Sequence, residues 1–84
     1  MLLKVIDAQY VKGFEIELTF SDGVRKTIDL KESLEGPVFE PLKNITIFKN
    51  FSLNRWTIEW KNGADFAPEY LYELAMKQNQ KTSA

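Results

Sequence analysis

Two stretches of this chain run alternating apolar residues into a turn of fixed chemistry. Phe14, Ile16, Leu18 and Phe20 alternate with Glu15, Glu17 and Thr19, and Ser21-Asp22-Gly23 follows. Trp56, Ile58 and Trp60 alternate with Arg55, Thr57 and Glu59, and Lys61-Asn62-Gly63 follows. A period of two gives a strand one apolar face and one wet face. Asp-Gly and Asn-Gly tolerate positive φ and so reverse the chain between paired strands. Each unit therefore predicts a hairpin end, with Asp22 and Asn62 holding the turns through their own backbone. An internal repeat is the poorer explanation, because Thr27-Ile28-Asp29-Leu30 has no counterpart after Gly63.

The rest of the chain completes an α+β pattern. Leu3 to Ala8, with Val5 and Ile6 at its centre, reads as a first strand, and Tyr10 to Gly13 as a connector. Val24 and Ile28 continue the apolar face after the first turn, with Lys26 on that face at an edge. Lys31 to Pro41 has no period, and Gly36-Pro37 and Pro41 break it. Leu30, Leu34, Phe39 and Leu42 look like plugs that pin this connection to the core. Asn44 suits the cap of a short helix over 45–49, although Ile45, Thr46 and Ile47 are β-branched. Phe48 and Phe51 are expected inward, and Phe51-Ser52-Leu53 is expected to pair with the tryptophan strand across Asn54. Pro68 and Glu69 open a final helix, where Leu71, Leu74 and Ala75 dock and Tyr70 and Tyr72 flank them. The expected fold is a small antiparallel sheet of about 4–6 strands built on two hairpins. The C-terminal helix packs on one face, in a single domain over 1–76 with a polar tail over 77–84 that frays.

Composition narrows what such a domain does. At 84 residues it has a modest core, and the 13% aromatic content must fill it. A groove, a sheet face or an edge is then a more plausible working surface than a deep active site. The chain has no histidine and no cysteine. That removes the usual acid–base group at neutral pH, the thiolate nucleophile and the commonest zinc ligands. The serines lack a base to activate them. Net charge is -1, with five Lys/Arg against eight Asp/Glu over 1–42 and six against four over 43–84. Neither half steers the chain towards nucleic acid. No apolar run is long enough to span a membrane, and a cytoplasmic setting is expected.

Several residues invite a sharper reading. Asp65 and Glu69 are paired carboxylates, but their spacing around Pro68 suits helix capping and the helix dipole better than a metal. Asp29, at a strand end, is expected as a buried-edge carboxylate that bonds loop amides. Trp56 and Trp60 share a predicted strand face and are expected to be packed, with a base-stacking platform as the alternative. The residues carried forward as candidate partner or ligand contacts are Arg55, Trp60, Lys61, Asp65, Glu69 and Tyr70. No catalytic, cofactor-binding or metal-binding residue is assigned, and the chain is not expected to be an enzyme.

The order Phe20-Ser21-Asp22-Gly23, Asp29-Leu30, Gly36 to Leu42 and Phe48 ends in the block Trp60 to Tyr72. Over residues 3 to 74 it resembles the bacterial domain-of-unknown-function family 2442. The block is similar to that family's Trp-Pro-Asn-Gly-x-Asp-x-x-Pro-Glu-x-Leu-Tyr pattern. Lys61 stands where a proline is usual, and Trp56 where a glycine is common. The resemblance implies a small α+β domain with no established reaction, to which some members add a helix-turn-helix domain. It also implies a gene beside a second small family, in an arrangement like that of toxin–antitoxin pairs. The expected function is thus a non-catalytic protein-binding module, antitoxin-like, whose partner is the adjacent gene product. A homodimer through a sheet edge is a further expected contact. The alternative is a regulatory domain that binds nucleic acid or a small ligand. Nucleic-acid binding by this domain alone is not expected.

Overall fold

The computed structural model describes residues 2–78. In it β2 (Glu15–Phe20) and β3 (Arg25–Asp29) form the first hairpin, with Ile16 opposite Ile28 and Leu18 opposite Lys26. Ile16, Leu18, Phe20 and Ile28 are buried, as the alternation requires. β1 (Val5–Lys12) pairs with the other side of β2, giving the order β1-β2-β3. It runs past the strand expected at Leu3 to Ala8, because Tyr10 lies opposite Ile16 and Lys12 opposite Glu15. Register shifts between Val5 and Asp7 and between Tyr10 and Lys12 leave Ile6 and Val11 as extra, exposed residues on this edge strand. Such bulges twist an edge and interrupt its hydrogen-bonding row.

The two glycine turns are built alike. Phe20 N–H bonds Val24 O at 2.8 Å, Gly23 N–H bonds Phe20 O at 2.8 Å, and Val24 N–H bonds Asp22 Oδ1 at 3.0 Å. Trp60 N–H bonds Ala64 O at 2.9 Å, Gly63 N–H bonds Trp60 O at 2.9 Å, and Ala64 N–H bonds Asn62 Oδ1 at 3.1 Å. Positive φ falls only on the glycines, at +93° for Gly23 and +91° for Gly63, and on no other residue type among the described residues. Both are therefore three-residue loops closed by a left-handed glycine, not two-residue turns in which Asp22 or Asn62 shares that conformation.

The irregular middle segment plugs the core as expected. Leu30, Leu34 and Leu42 are fully buried, held by short 3-10 turns over Lys31–Ser33 and Glu40–Lys43. α1 (Ile45–Phe48) follows, capped by Asn44, whose Oδ1 accepts from Thr46 N–H at 2.9 Å. Its Phe48 sits among the rings of Tyr10, Phe14 and Trp60. β4 (Ser52–Leu53) and β5 (Ile58–Glu59) make a separate two-stranded sheet, so the expected single sheet is two sheets of three and two strands. A bond of 2.9 Å from Val5 N–H to Trp56 O links them.

The tryptophan strand is shorter than its alternation suggests. Asn54 Oδ1 accepts from both Trp56 N–H, at 2.7 Å, and Thr57 N–H, at 2.8 Å. With Asn54 N–H bonded to Thr57 O at 2.9 Å, these bonds make 54–57 the turn between β4 and β5. Trp56 is thrown out to 42% exposure, whereas Trp60 keeps 3%. The two indoles do not share a packed face.

α2 (Pro68–Gln78) buries Leu71 and Ala75, and Tyr72 meets Phe20 edge-on at 4.9 Å. It carries through Lys77 and Gln78, which the polarity of that stretch assigns to a tail. The reason is tertiary. Gln78 Oε1 accepts from Asp29 N–H at 2.8 Å, and its Nε2 donates to Asp29 O at 3.0 Å, so the carboxamide bonds the edge of β3 as a peptide group would. The expected fraying of residues 79–84 lies outside the described residues. Among the described residues, no helix is long and apolar enough to cross a membrane.

Candidate protein-contact site

Trp60 follows β5 and begins the second glycine turn. Its buried Nε1–H donates to Phe48 O at 2.7 Å, and Phe51 and Phe66 meet the indole edge-on. The ring is thus fixed by one buried hydrogen bond and by aromatic packing. It lines a pocket of about 270 Å³ together with Pro41, Ile47, Asn50, Lys61 and Asn62. Asn62 does two jobs at this rim. Its Oδ1 closes the turn, and its Nδ2 donates to Val38 O at 2.8 Å, which ties the loop before Glu40 to the turn. Val38 and Ile47 beside the pocket are 43% and 42% exposed.

The charge lining this pocket has one sign. Among the described residues Lys61 is its only charged lining residue. No Asp or Glu occurs between Glu40 and Glu59. Lys43 is paired with Glu40 at 3.1 Å, and the Glu59 carboxylate accepts from Asn54 Nδ2 at 2.8 Å. Among the described residues Lys61 has no ion pair. An apolar floor with an amide and ammonium rim suits an apolar side chain that brings hydrogen-bond acceptors with it.

Of the six candidate contact residues, only Trp60 and Lys61 meet in this pocket. Arg55 is exposed in the 54–57 turn next to Trp56, over whose ring Lys4 Nζ stands 5.8 Å from the centroid. Asp65 is exposed and joins a β-bridge with Glu59. Its carboxylate takes no amide among the described residues, and Tyr70 and Leu71 N–H instead bond Ala67 O, so the expected cap at Asp65 is replaced by ladder pairing. Glu69 is exposed in the first turn of α2. Tyr70 ends a run of near-parallel rings, Phe39 on Phe66 at 4.8 Å and Phe66 on Tyr70 at 5.6 Å. Its hydroxyl and Ser33 Oγ are 2.6 Å apart above a separate, more polar groove of about 450 Å³. Asp29 is exposed, not buried, and its Oδ1 accepts from Lys31 N–H at 2.9 Å, which is the loop bond expected of it.

Pro41, Ile47, Asn50 and Val38 carry no mark in the sequence that points to this site. Pro41 reads as a breaker and Ile47 as a poor helix former. They become a pocket because three separate segments converge on one indole. At the opposite turn, Tyr72 O–H donates to Asp22 Oδ2 at 2.6 Å. That bond, followed by the one from Val24 N–H, holds the Asp22 carboxyl below its ordinary value. It also raises the Tyr72 phenol, which is harder to ionise beside a carboxylate.

By its fold the chain is a small α+β domain of two antiparallel sheets closed by a C-terminal helix. A family model described as a protein of unknown function (DUF2442) matches residues 5–77, and the chain belongs to that family. No curated protein matches it. The crystal structure of NE0471 from Nitrosomonas europaea, described as a candidate DNA-binding protein, is similar with a TM-score of 0.80 and 19% identity. The similarity covers 99% of this chain and 55% of that one, so this chain spans about half of that protein's length. At that identity the likeness is one of fold.

Proposed function

We propose that this domain is a non-catalytic protein-binding module that takes its partner at the Trp60 pocket. The observation that carries the reading is the pocket itself, lined by the fixed Trp60 indole and by exposed Ile47, with exposed Val38 bonded to its rim through Asn62. Aromatic anchors in small desolvated pockets dominate protein interfaces. A chain without histidine or cysteine fits work by contact rather than chemistry. The partner is the adjacent gene product, met in the cytoplasm as in an antitoxin-like pair. The outer edges of the three-stranded sheet favour the pocket over dimerisation by strand addition. One is bulged twice and the other is held by Gln78. NE0471, described as a candidate DNA-binding protein, has about half of its length without a counterpart here, and at 19% identity the likeness supports the fold and leaves the protein-contact reading to rest on the pocket.

Titration calorimetry of the full chain against the purified adjacent gene product tests this. Binding at micromolar concentration or tighter, weakened at least about tenfold by Ile47→Asp with the fold intact, supports it. Silence at micromolar concentration sinks the pairing with that gene product, and binding that Ile47→Asp leaves unchanged sinks the pocket as the contact site. A second reading, contact with single-stranded nucleic acid, is favoured by exposed Trp56 between Lys4 and Arg55. A salt-dependent shift on mixed DNA and RNA pools, lost in Arg55→Ala, is its signature.

A further inference from the structure

We propose that the Trp60 pocket reads a short protein segment in which one large apolar side chain stands next to a carboxylate, and that Lys61 is the residue that selects the carboxylate. The proposal rests on the protein-binding reading and goes on to name what the partner presents. Size comes first. At about 270 Å³ the pocket has room for one large apolar side chain. Trp60 lines it with an indole whose own donor is already spent on Phe48 O, so the ring brings apolar surface without a polar demand. Ile47 and Pro41 extend that surface.

The rim then supplies direction. Asn62 is committed to Ala64 N–H and Val38 O, and so serves as a fixed wall. The Asn50 carboxamide has no hydrogen-bond partner among the described residues, which leaves it to bond the backbone of an incoming segment. Lys61 projects from the first position of a turn closed by three hydrogen bonds, so its Cα is held while its ammonium is exposed and unpaired among the described residues. Among the described residues no carboxylate lines the pocket, and the nearest in the chain are engaged, Glu40 by Lys43 and Glu59 by Asn54, so Lys61 is the charge an incoming carboxylate meets at the rim. Complementary charge at a rim selects partners more than it adds affinity.

The test uses the full chain, labelled with nitrogen-15, and capped synthetic peptides with one phenylalanine between two glutamates in a Gly/Ser background. The expected result is shifts confined to the amides of Ile47, Asn50, Lys61 and Asn62 and to the Trp60 indole N–H. Changing the peptide's phenylalanine to alanine abolishes them. Changing its glutamates to glutamine weakens binding about fivefold, the scale of an exposed ion pair. Lys61→Met removes the difference between the two peptides, and Lys61→Glu turns the preference towards a lysine-flanked peptide. No shifts, shifts centred on Trp56 or Tyr70, or equal binding of the glutamate and glutamine peptides overturns the proposal. If the adjacent gene product binds through Ile47 but ignores Lys61→Glu, the inference falls and the protein-binding reading stands. If the peptides behave as expected and that gene product does not bind, the identity of the partner falls and the inference stands.

Discussion

Replacing Gly23 or Gly63 with alanine is expected to cost the same at either turn. Both glycines sit at nearly equal φ in loops closed by the same three bonds, and a Cβ built at either meets nothing within 4 Å. With no clash to relieve, the cost is left-handed strain, about 1–2 kcal/mol for a residue with a Cβ. The stiffer unfolded chain offsets about 0.4–1 kcal/mol of this. The net loss is about 1 kcal/mol at each site. In a domain of this size that lowers Tm by roughly 4–8 °C. Urea unfolding followed by tryptophan fluorescence measures it, since Trp60 is buried in the folded state. A loss above about 3 kcal/mol at either site would mean that the Cβ is not free. No measurable loss would mean that the turn closes without a left-handed residue, and either result refutes the twin-turn account. The two variants separate in binding. Gly63→Ala disturbs Lys61 and Asn62 and weakens the glutamate-flanked peptide, whereas Gly23→Ala does not.

Trp60→Phe leaves the Phe48 carbonyl buried without its donor and costs about 1–3 kcal/mol in chemical denaturation, before any loss from poorer packing. A cost under about 0.5 kcal/mol would show that the bond is dispensable. Tyr72→Phe returns the Asp22 carboxyl towards its ordinary 3.8, as read by carbon-13 titration. Because the folded Asp22 value is lowered, the stability this bond adds is present above the unfolded value and lost as pH falls through the folded one. Because the folded Tyr72 value is raised, the same stability is full below pH 10.0 and lost as pH rises through the folded value. Stability-against-pH curves for the wild type and Tyr72→Phe should therefore diverge between those limits and converge beyond them. Gln78→Ala unbinds Asp29 at the edge of β3, so the Asp29 amide should exchange about tenfold faster, while an unchanged rate would mean that the clamp is not closed in solution.

Local chemistry was legible in the sequence wherever a few neighbouring residues decide the outcome. The alternation of Ile16, Leu18 and Phe20, both glycine turns, the cap at Asn44, the helix start at Pro68 and the leucine plugs at Leu30, Leu34 and Leu42 are of this kind. Each depends on a side-chain period or on a bond spanning two or three residues. What lies opposite a residue cannot be read that way. β1 reaches Lys12, and expels Ile6 and Val11, because β2 sets its register. Trp56 and Trp60 look equivalent until Asn54 takes two backbone amides and turns one indole out. Gln78 is helical against Asp29, 49 residues away in sequence. Two of the six candidate contact residues, Trp60 and Lys61, line the pocket, and the other four lie elsewhere. The sequence by itself determined an α+β domain, its turns and its freedom from histidine and cysteine chemistry. The tertiary structure alone decided that Pro41, Ile47 and Asn50 meet Trp60 and Lys61, because a pocket is a juxtaposition of distant segments and leaves no trace in any one of them.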